Sequence, residues 1–166
     1  MVDDTFDPTW IIATLDRHGV AYILVGGYAA QLHGARRATY DIDIAPSTTA
    51  DNLERLAAAL KSLKARIRVD NVPDGLAFSC SAESLRGIQM LNLQTCAGDL
   101  DLTFTPAGFP QGFTELERDA ESYSIAGVTI SVAALEDVIK SKEAAARPKD
   151  LDALPELIRI ARKRSR

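Results

Sequence analysis

The chain has 166 residues, of which 46% are hydrophobic and 25% charged, with a formal net charge of −4; this excludes a disordered, fibrous or strongly polycationic protein and leaves room for one well-buried core over 1–166, read as a single domain. No apolar run is long enough to cross a bilayer, the opening Met-Val-Asp-Asp-Thr-Phe-Asp is acidic where a secretory leader would be basic, and Cys80 and Cys96 fit neither a metal spacing nor a secreted disulfide framework. These features predict a cytoplasmic globular protein without membrane contact, its two thiols in the core.

Along the chain, residues 7–18 are expected to form a short amphipathic helix with Trp10, Ile11, Thr14 and Leu15 on one side and Gly19 as its stop. Residues 22–25 read as a buried strand, Gly26 and Gly27 as the turn into a helix at about 28–32, and 39–45 as the next strand. Ser47 to Thr49 supply caps for a helix over 50–63, whose stripe is Leu53, Leu56, Ala57 and Leu60. Strands are predicted at 65–69 and 76–79 around the turn signal Asn71-Val-Pro-Asp-Gly75, then a short helix at 82–86 and strands at 88–95 and 99–105. After a Gly- and Pro-rich loop at 106–112, residues 124–131 read as a hairpin or strand. Two helices, about 132–146 and 152–162, close the chain, with Asp152 as the cap that would place Pro155 in a first turn. The order predicts an α+β fold, a mixed sheet flanked by helices and ending in a helical pair.

The chemistry concentrates in a few places. In Asp41-Ile-Asp43 the strand period turns both carboxylates to one face and Ile42 and Ile44 to the other. Such carboxylates repel unless exposed or bridged by a cation, and hard oxygen ligands suit Mg²⁺, or Mn²⁺, held together with a phosphate. A third carboxylate from another strand would complete a two-metal site, and the run Gly98-Asp-Leu-Asp-Leu-Thr-Phe104 offers Asp101, with Asp99 on the same face as its rival. Gly26-Gly27, between strand and helix, allows close backbone approach to an anion such as a triphosphate, although glycine pairs more often serve turns. Lys142 falls on the apolar stripe of Leu135, Val138, Ile139, Ala145 and Ala146, where an ammonium needs an anionic partner; a phosphate and Asp150 both qualify, and Arg147 and Lys149 add cations just beyond.

Taken together, Gly26-Gly27, Arg37-Ala-Thr39-Tyr-Asp41-Ile-Asp43, Asp99-Leu-Asp101 and Lys142-Glu-Ala-Ala-Ala-Arg147-Pro-Lys149-Asp150 resemble the minimal nucleotidyltransferases of the DNA polymerase β superfamily. Within it the resemblance is to the abortive-infection toxin type found in toxin–antitoxin pairs. It implies a polymerase-β-like fold and a Mg-dependent transfer of a nucleoside monophosphate from a nucleoside triphosphate, such as ATP, to a hydroxyl. Carried over by residue, Gly26 and Gly27 would hold phosphates, Asp41 and Asp43 the metals, and Asp101 the activating metal or the acceptor's proton. Lys142 would contact the triphosphate, with Thr39, Arg37 and Arg147 in the nucleotide site and Asp150 orienting Lys142. One departure is Ala153, where the family usually has an acid three residues after its Lys-partnered Asp.

The resemblance also implies an acceptor, a tRNA 3′ end or a partner protein, and a cognate antitoxin. From Lys140 onward nine basic residues face four acidic ones, leaving −9 on the rest of the chain. The basic end, with Arg159, Arg162, Lys163, Arg164 and Arg166, suits a polyanion, though by itself it is better read as a solvated helix terminus. A nucleotide-binding regulatory module without turnover is the competing class. A metal phosphohydrolase finds no support, since His18 and His33 are the only histidines and neither is paired with an acid in sequence; both read as helix-end residues.

Overall fold

A computed structural model of the chain describes residues 6–165; the first five residues and Arg166 of the basic end lie outside the described residues. Among the described residues, fifteen elements follow one another. Helix α1 (Pro8–Arg17) leads to β1 (Tyr22–Val25), α2 (Gly26–Leu32), β2 (Asp41–Pro46) and α3 (Ala50–Ser62). Next come β3 (Arg66–Val69), β4 (Val72–Leu76), α4 (Ala82–Leu85), β5 (Met90–Thr95) and β6 (Gly98–Thr103). The chain continues through α5 (Phe113–Leu116), β7 (Glu121–Ile125) and β8 (Val128–Val132) into α6 (Leu135–Ala145) and α7 (Pro148–Arg164). The eight strands form one mixed sheet in the order β4-β3-β5-β6-β2-β1-β8-β7, so the α+β expectation holds.

The centre of that sheet is set by β2, antiparallel to β1 and parallel to β6. Strand alternation sends Ile42, Ile44, Leu100 and Leu102 into the core, where all four are fully buried, and leaves Asp41, Asp43, Asp99 and Asp101 on the other face. Helices α1 and α3 pack against each other, as do α6 and α7, and α2 touches α6. Cys80 and Cys96 are half-buried against the core rather than inside it, and Cys80 donates to the Ala57 carbonyl at 3.5 Å. No helix among the described residues is long and apolar enough to cross a membrane.

Several boundaries differ from expectation for identifiable reasons. Trp10 is 48% exposed and Ile12 takes the buried place assigned to it. Helix α2 begins at Gly26 itself, without a separate turn. The stretch read as a turn around Pro73 is instead strand β4, which a proline tolerates because β4 is the outermost strand. The short α5, just beyond the 106–112 loop, is a single turn and too brief to show a helical period. Helix α7 starts four residues before the expected Asp152: Arg147 is its N-cap and Pro148 occupies the first turn, so Pro155 lies inside the helix. With no N–H at Pro155, the carbonyl of the exposed Leu151 loses its helical donor on the solvent side.

One buried side chain fastens the entry of β1 to the exit of β2. Asn52, fully buried on α3, accepts from the Ala21 amide at 2.7 Å and donates to the Ala21 and Ser47 carbonyls at 2.9 and 2.8 Å. Asn52→Ala would strand the Ala21 amide and the Ser47 carbonyl, while the Ala21 carbonyl keeps its bond from the Ser47 amide at 3.0 Å, and is expected to lower the unfolding free energy by about 2 kcal/mol, measured by urea denaturation.

Candidate active site

The site begins with strand register. Parallel pairing of β2 with β6 sets Asp41 beside Asp99 and Asp43 beside Asp101, so four same-face carboxylates form a square held by backbone hydrogen bonds. Oxygen atoms from Asp41, Asp43 and Asp101 all lie within 4.8 Å of one another. The group is expensive: burial, followed by the charges of Asp41 and Asp101, pushes the Asp43 carboxyl up to about 8, and burial also raises Asp99 and Asp101. A cation would remove that cost, and an all-carboxylate donor set is the hard-oxygen kind that suits magnesium or manganese, so these residues fit such an ion.

Glycine is required beside the cluster. Gly26 has φ +72°, and a Cβ there would overlap the Asp43 carboxylate; a Cβ at Gly27 would come within 3.0 Å of Thr39 Oγ1. Thr39 in turn donates to Asp41 Oδ1 at 2.8 Å. The glycine pair thus makes room for the acid pair, a role additional to any contact with a ligand.

A cation that sequence reading passed over reaches the cluster from the side. Arg68 on β3 donates through Nη2 to Asp101 Oδ1 at 2.8 Å and through Nη1 to the Leu93 carbonyl at 2.9 Å, with Nη1 also 3.5 Å from Asp99 Oδ2. Burial opposes its charge, but Asp101 and Asp99 outweigh this and raise its pKa.

The opposite wall comes from α6 and α7. Helix α6 ends on Ala146 in the left-handed conformation, φ 51°, and the chain turns at once into α7. In that joint Asp150, almost wholly buried, accepts from the Arg147 amide at 3.2 Å and from Arg147 Nε at 2.7 Å, and lies 3.8 Å from Lys142 Nζ. Burial alone would raise the Asp150 carboxyl, but Arg147 and Lys142 hold it below the usual range. Burial lowers the Lys142 ammonium, aided by Arg147, Lys149 and Arg37 and opposed by Asp150. Arg37 donates to the Lys149 carbonyl at 3.1 Å, which places its guanidinium beside this group.

Between the walls runs a cleft with two lobes that share Gly26, Asp41, Asp43, Lys142, Arg147, Lys149 and Asp150. The first, about 440 Å³, extends to Gly27, Arg37, Thr39, Asp99 and the 76% exposed Tyr40. The second, about 410 Å³, extends past Arg68 and Asp101 to Met90, Phe109, Leu116 and Val138. All twelve residues that the sequence suggests for the site, Asp99 and Lys149 included, therefore border one cleft. Asp101 borders only the second lobe and Asp99 only the first. Arg68, Tyr40 and the apolar wall were missed, because an exposed-looking arginine in a short strand, a single tyrosine and scattered apolar residues carry no local signal.

The histidines lie elsewhere. His18 is the C-cap of α1. His33, the C-cap of α2, is buried; its Nε2 donates to the Ala133 carbonyl at 2.7 Å and its Nδ1 meets Tyr123 Oη at 3.1 Å. It ties α2 to the β7–β8 hairpin.

No protein-family model matches the chain, and no curated protein matches it in sequence. Its fold is similar to that of a solved structure, the lincosamide antibiotic adenylyltransferase LnuA with lincomycin bound, at a TM-score of 0.59 and 17% identity, covering 92% of this chain and 94% of that one. The likeness establishes a shared nucleotidyltransferase-type fold.

The Asp43 carboxyl yields a pH prediction for the metal-free protein. Its pKa rises from the ordinary 3.8 to about 8 on folding, so the folded state binds more protons and stability falls as pH climbs from about 4 to about 8. Asp43→Asn is expected to remove this loss, gaining on the order of 2 kcal/mol at pH 8, with little gain near pH 4. Urea titrations in chelator across that range measure it.

Proposed function

We propose that the chain is a nucleotidyltransferase acting as a single catalytic unit, with the carboxylate trio Asp41, Asp43 and Asp101 facing Lys142 across one cleft as the observation that carries this reading. The first lobe, with Gly26, Gly27, Thr39, Arg37, Lys142, Arg147 and Lys149, suits a nucleoside triphosphate. The cations crowded on its helical side, which add to burial in lowering the Lys142 pKa, would be relieved by phosphate oxygens. Asp41, Asp43 and Asp101 would hold magnesium, which when bound neutralises phosphate charge and lowers the pKa of the acceptor hydroxyl. That hydroxyl oxygen bonds to the α-phosphorus, the bond to the β-phosphate oxygen breaks, pyrophosphate leaves, and the hydroxyl proton passes to Asp101 or solvent. Asp150 keeps Lys142 and Arg147 in place, and the site works by positioning and charge.

For the acceptor we favour a small hydroxyl-bearing molecule. The second lobe has the volume of a small-molecule site and an apolar wall of Met90, Phe109, Leu116 and Val138, and the structure of similar fold holds lincomycin. A second reading keeps the toxin-type acceptor, a tRNA 3′ end, and with it a toxin–antitoxin role; the exposed Arg159, Arg162 and Lys163 on the last turns of α7 favour it.

The test is to incubate the protein with Mg²⁺ and each α-labelled nucleoside triphosphate, adding lincomycin in one set and total RNA in another. Label in the small molecule supports the first acceptor and label in RNA the second. Mg-dependent triphosphate binding with no label anywhere would leave a binding module without turnover. Asp41→Asn is expected to cut labelling at least about 100-fold. Lys142→Ala should weaken triphosphate binding by about tenfold, with Mn²⁺ affinity little changed; the reverse ranking, read by calorimetry, would return Lys142 to a structural part.

A further inference from the structure

Among the described residues, Arg68 is the one cation in direct contact with the carboxylate trio. Lys142 and Arg147 are paired instead with Asp150, and the ion pairs of the square are those of Asp99 and Asp101 with Arg68. The arginine does not belong to either strand that carries the acids. It lies on β3, beyond β5 in the sheet order, and its side chain spans β5 on the way, tied to the Leu93 carbonyl at 2.9 Å before meeting Asp101 at 2.8 Å. A guanidinium anchored to a strand backbone is a fixed charge rather than a wandering surface one, and it cannot release its proton.

Resting on the reading of Asp41, Asp43 and Asp101 as a metal site, we infer that Arg68 is a tethered counter-ion that competes with the divalent cation for Asp101 and fixes where that carboxylate stands. Two physical points carry this. Arg68 supplies one positive charge to one edge of a four-carboxylate square, so it offsets Asp99 and Asp101 and leaves Asp41 and Asp43 without an ion pair. The remaining negative charge still attracts a divalent ion, while like-charge repulsion from Arg68 weakens its hold. The contact also runs to a single oxygen, Oδ1 of Asp101, so the second oxygen of the same carboxylate stays available as a ligand while the first is held. Arg68 is thus a positioning residue. It offsets part of the repulsion in the unloaded cluster and keeps the metal exchangeable, favouring its arrival together with the triphosphate, whose charge outweighs the repulsion.

The experiment titrates the full chain with Mn²⁺ in the absence of nucleotide, following free Mn²⁺ by electron paramagnetic resonance, in the natural protein, Arg68→Gln and Arg68→Lys. Arg68→Gln is expected to bind Mn²⁺ about tenfold more tightly, the effect of deleting one positive charge close to the ligands. Arg68→Lys, which keeps the charge and loses the fork, should remain near the natural affinity. Thermal melts with and without Mn²⁺ should give the same ranking and report folding of each variant. If Arg68→Gln binds Mn²⁺ no more tightly than the natural protein while Arg68→Lys also stays unchanged, Arg68 is not a competing counter-ion. If the natural protein and both variants bind no Mn²⁺, the metal-site reading fails first, and this inference with it.

Discussion

Mutual repulsion among carboxylates that the sheet will not let apart is the constraint around which this molecule is arranged. The parallel register of β2 and β6 fixes four aspartates on one face. Slipping one strand by a residue would drive its carboxylates into the core that Ile42, Ile44, Leu100 and Leu102 now fill. The fold therefore accepts the repulsion and manages it locally. Thr39 donates to Asp41, the missing side chain of Gly26 gives Asp43 space, Asp43 retains a proton to higher pH, and Arg68 is brought across β5 to Asp101. Each device relieves part of the charge and none neutralises it.

The other side of the cleft has the opposite imbalance. Lys142, Arg147, Lys149 and Arg37 gather around one buried acid, Asp150, which answers only part of their charge. A wall short of cations thus faces a wall short of anions across a space of small-molecule size. The metal–triphosphate complex proposed above would present both signs at once, cation toward the sheet and phosphates toward the helices, and so would answer both imbalances together.

Much of this was legible in the sequence wherever the signal was local. The alternation of Asp41-Ile-Asp43 and Asp99-Leu-Asp101 gave strand faces directly, and Lys142 on an apolar stripe announced a partnered ammonium, here found with Asp150. What stayed hidden depended on pairing between distant segments. Nothing in Arg66-Ile-Arg68 tells which strand lies alongside, so the contact of Arg68 with Asp101 required the sheet order. Local rules also misplaced the start of α7, where Asp152 was a plausible cap by type. Instead the buried Asp150 accepts from the Arg147 amide and guanidinium, a one-way cap with Pro148 in the first turn. In β4 a proline signalled a turn, and only the outermost position of that strand made it acceptable.

The joint between α6 and α7 also decides how the cationic wall responds to local loosening. Lys142 is held by an acid eight positions later in the chain, in the first turn of a helix that runs on to Arg164, and Arg147 is held by the same acid. Fraying of α7 from that first turn would release the ammonium and the guanidinium together, so this side of the cleft keeps or loses its geometry as one piece.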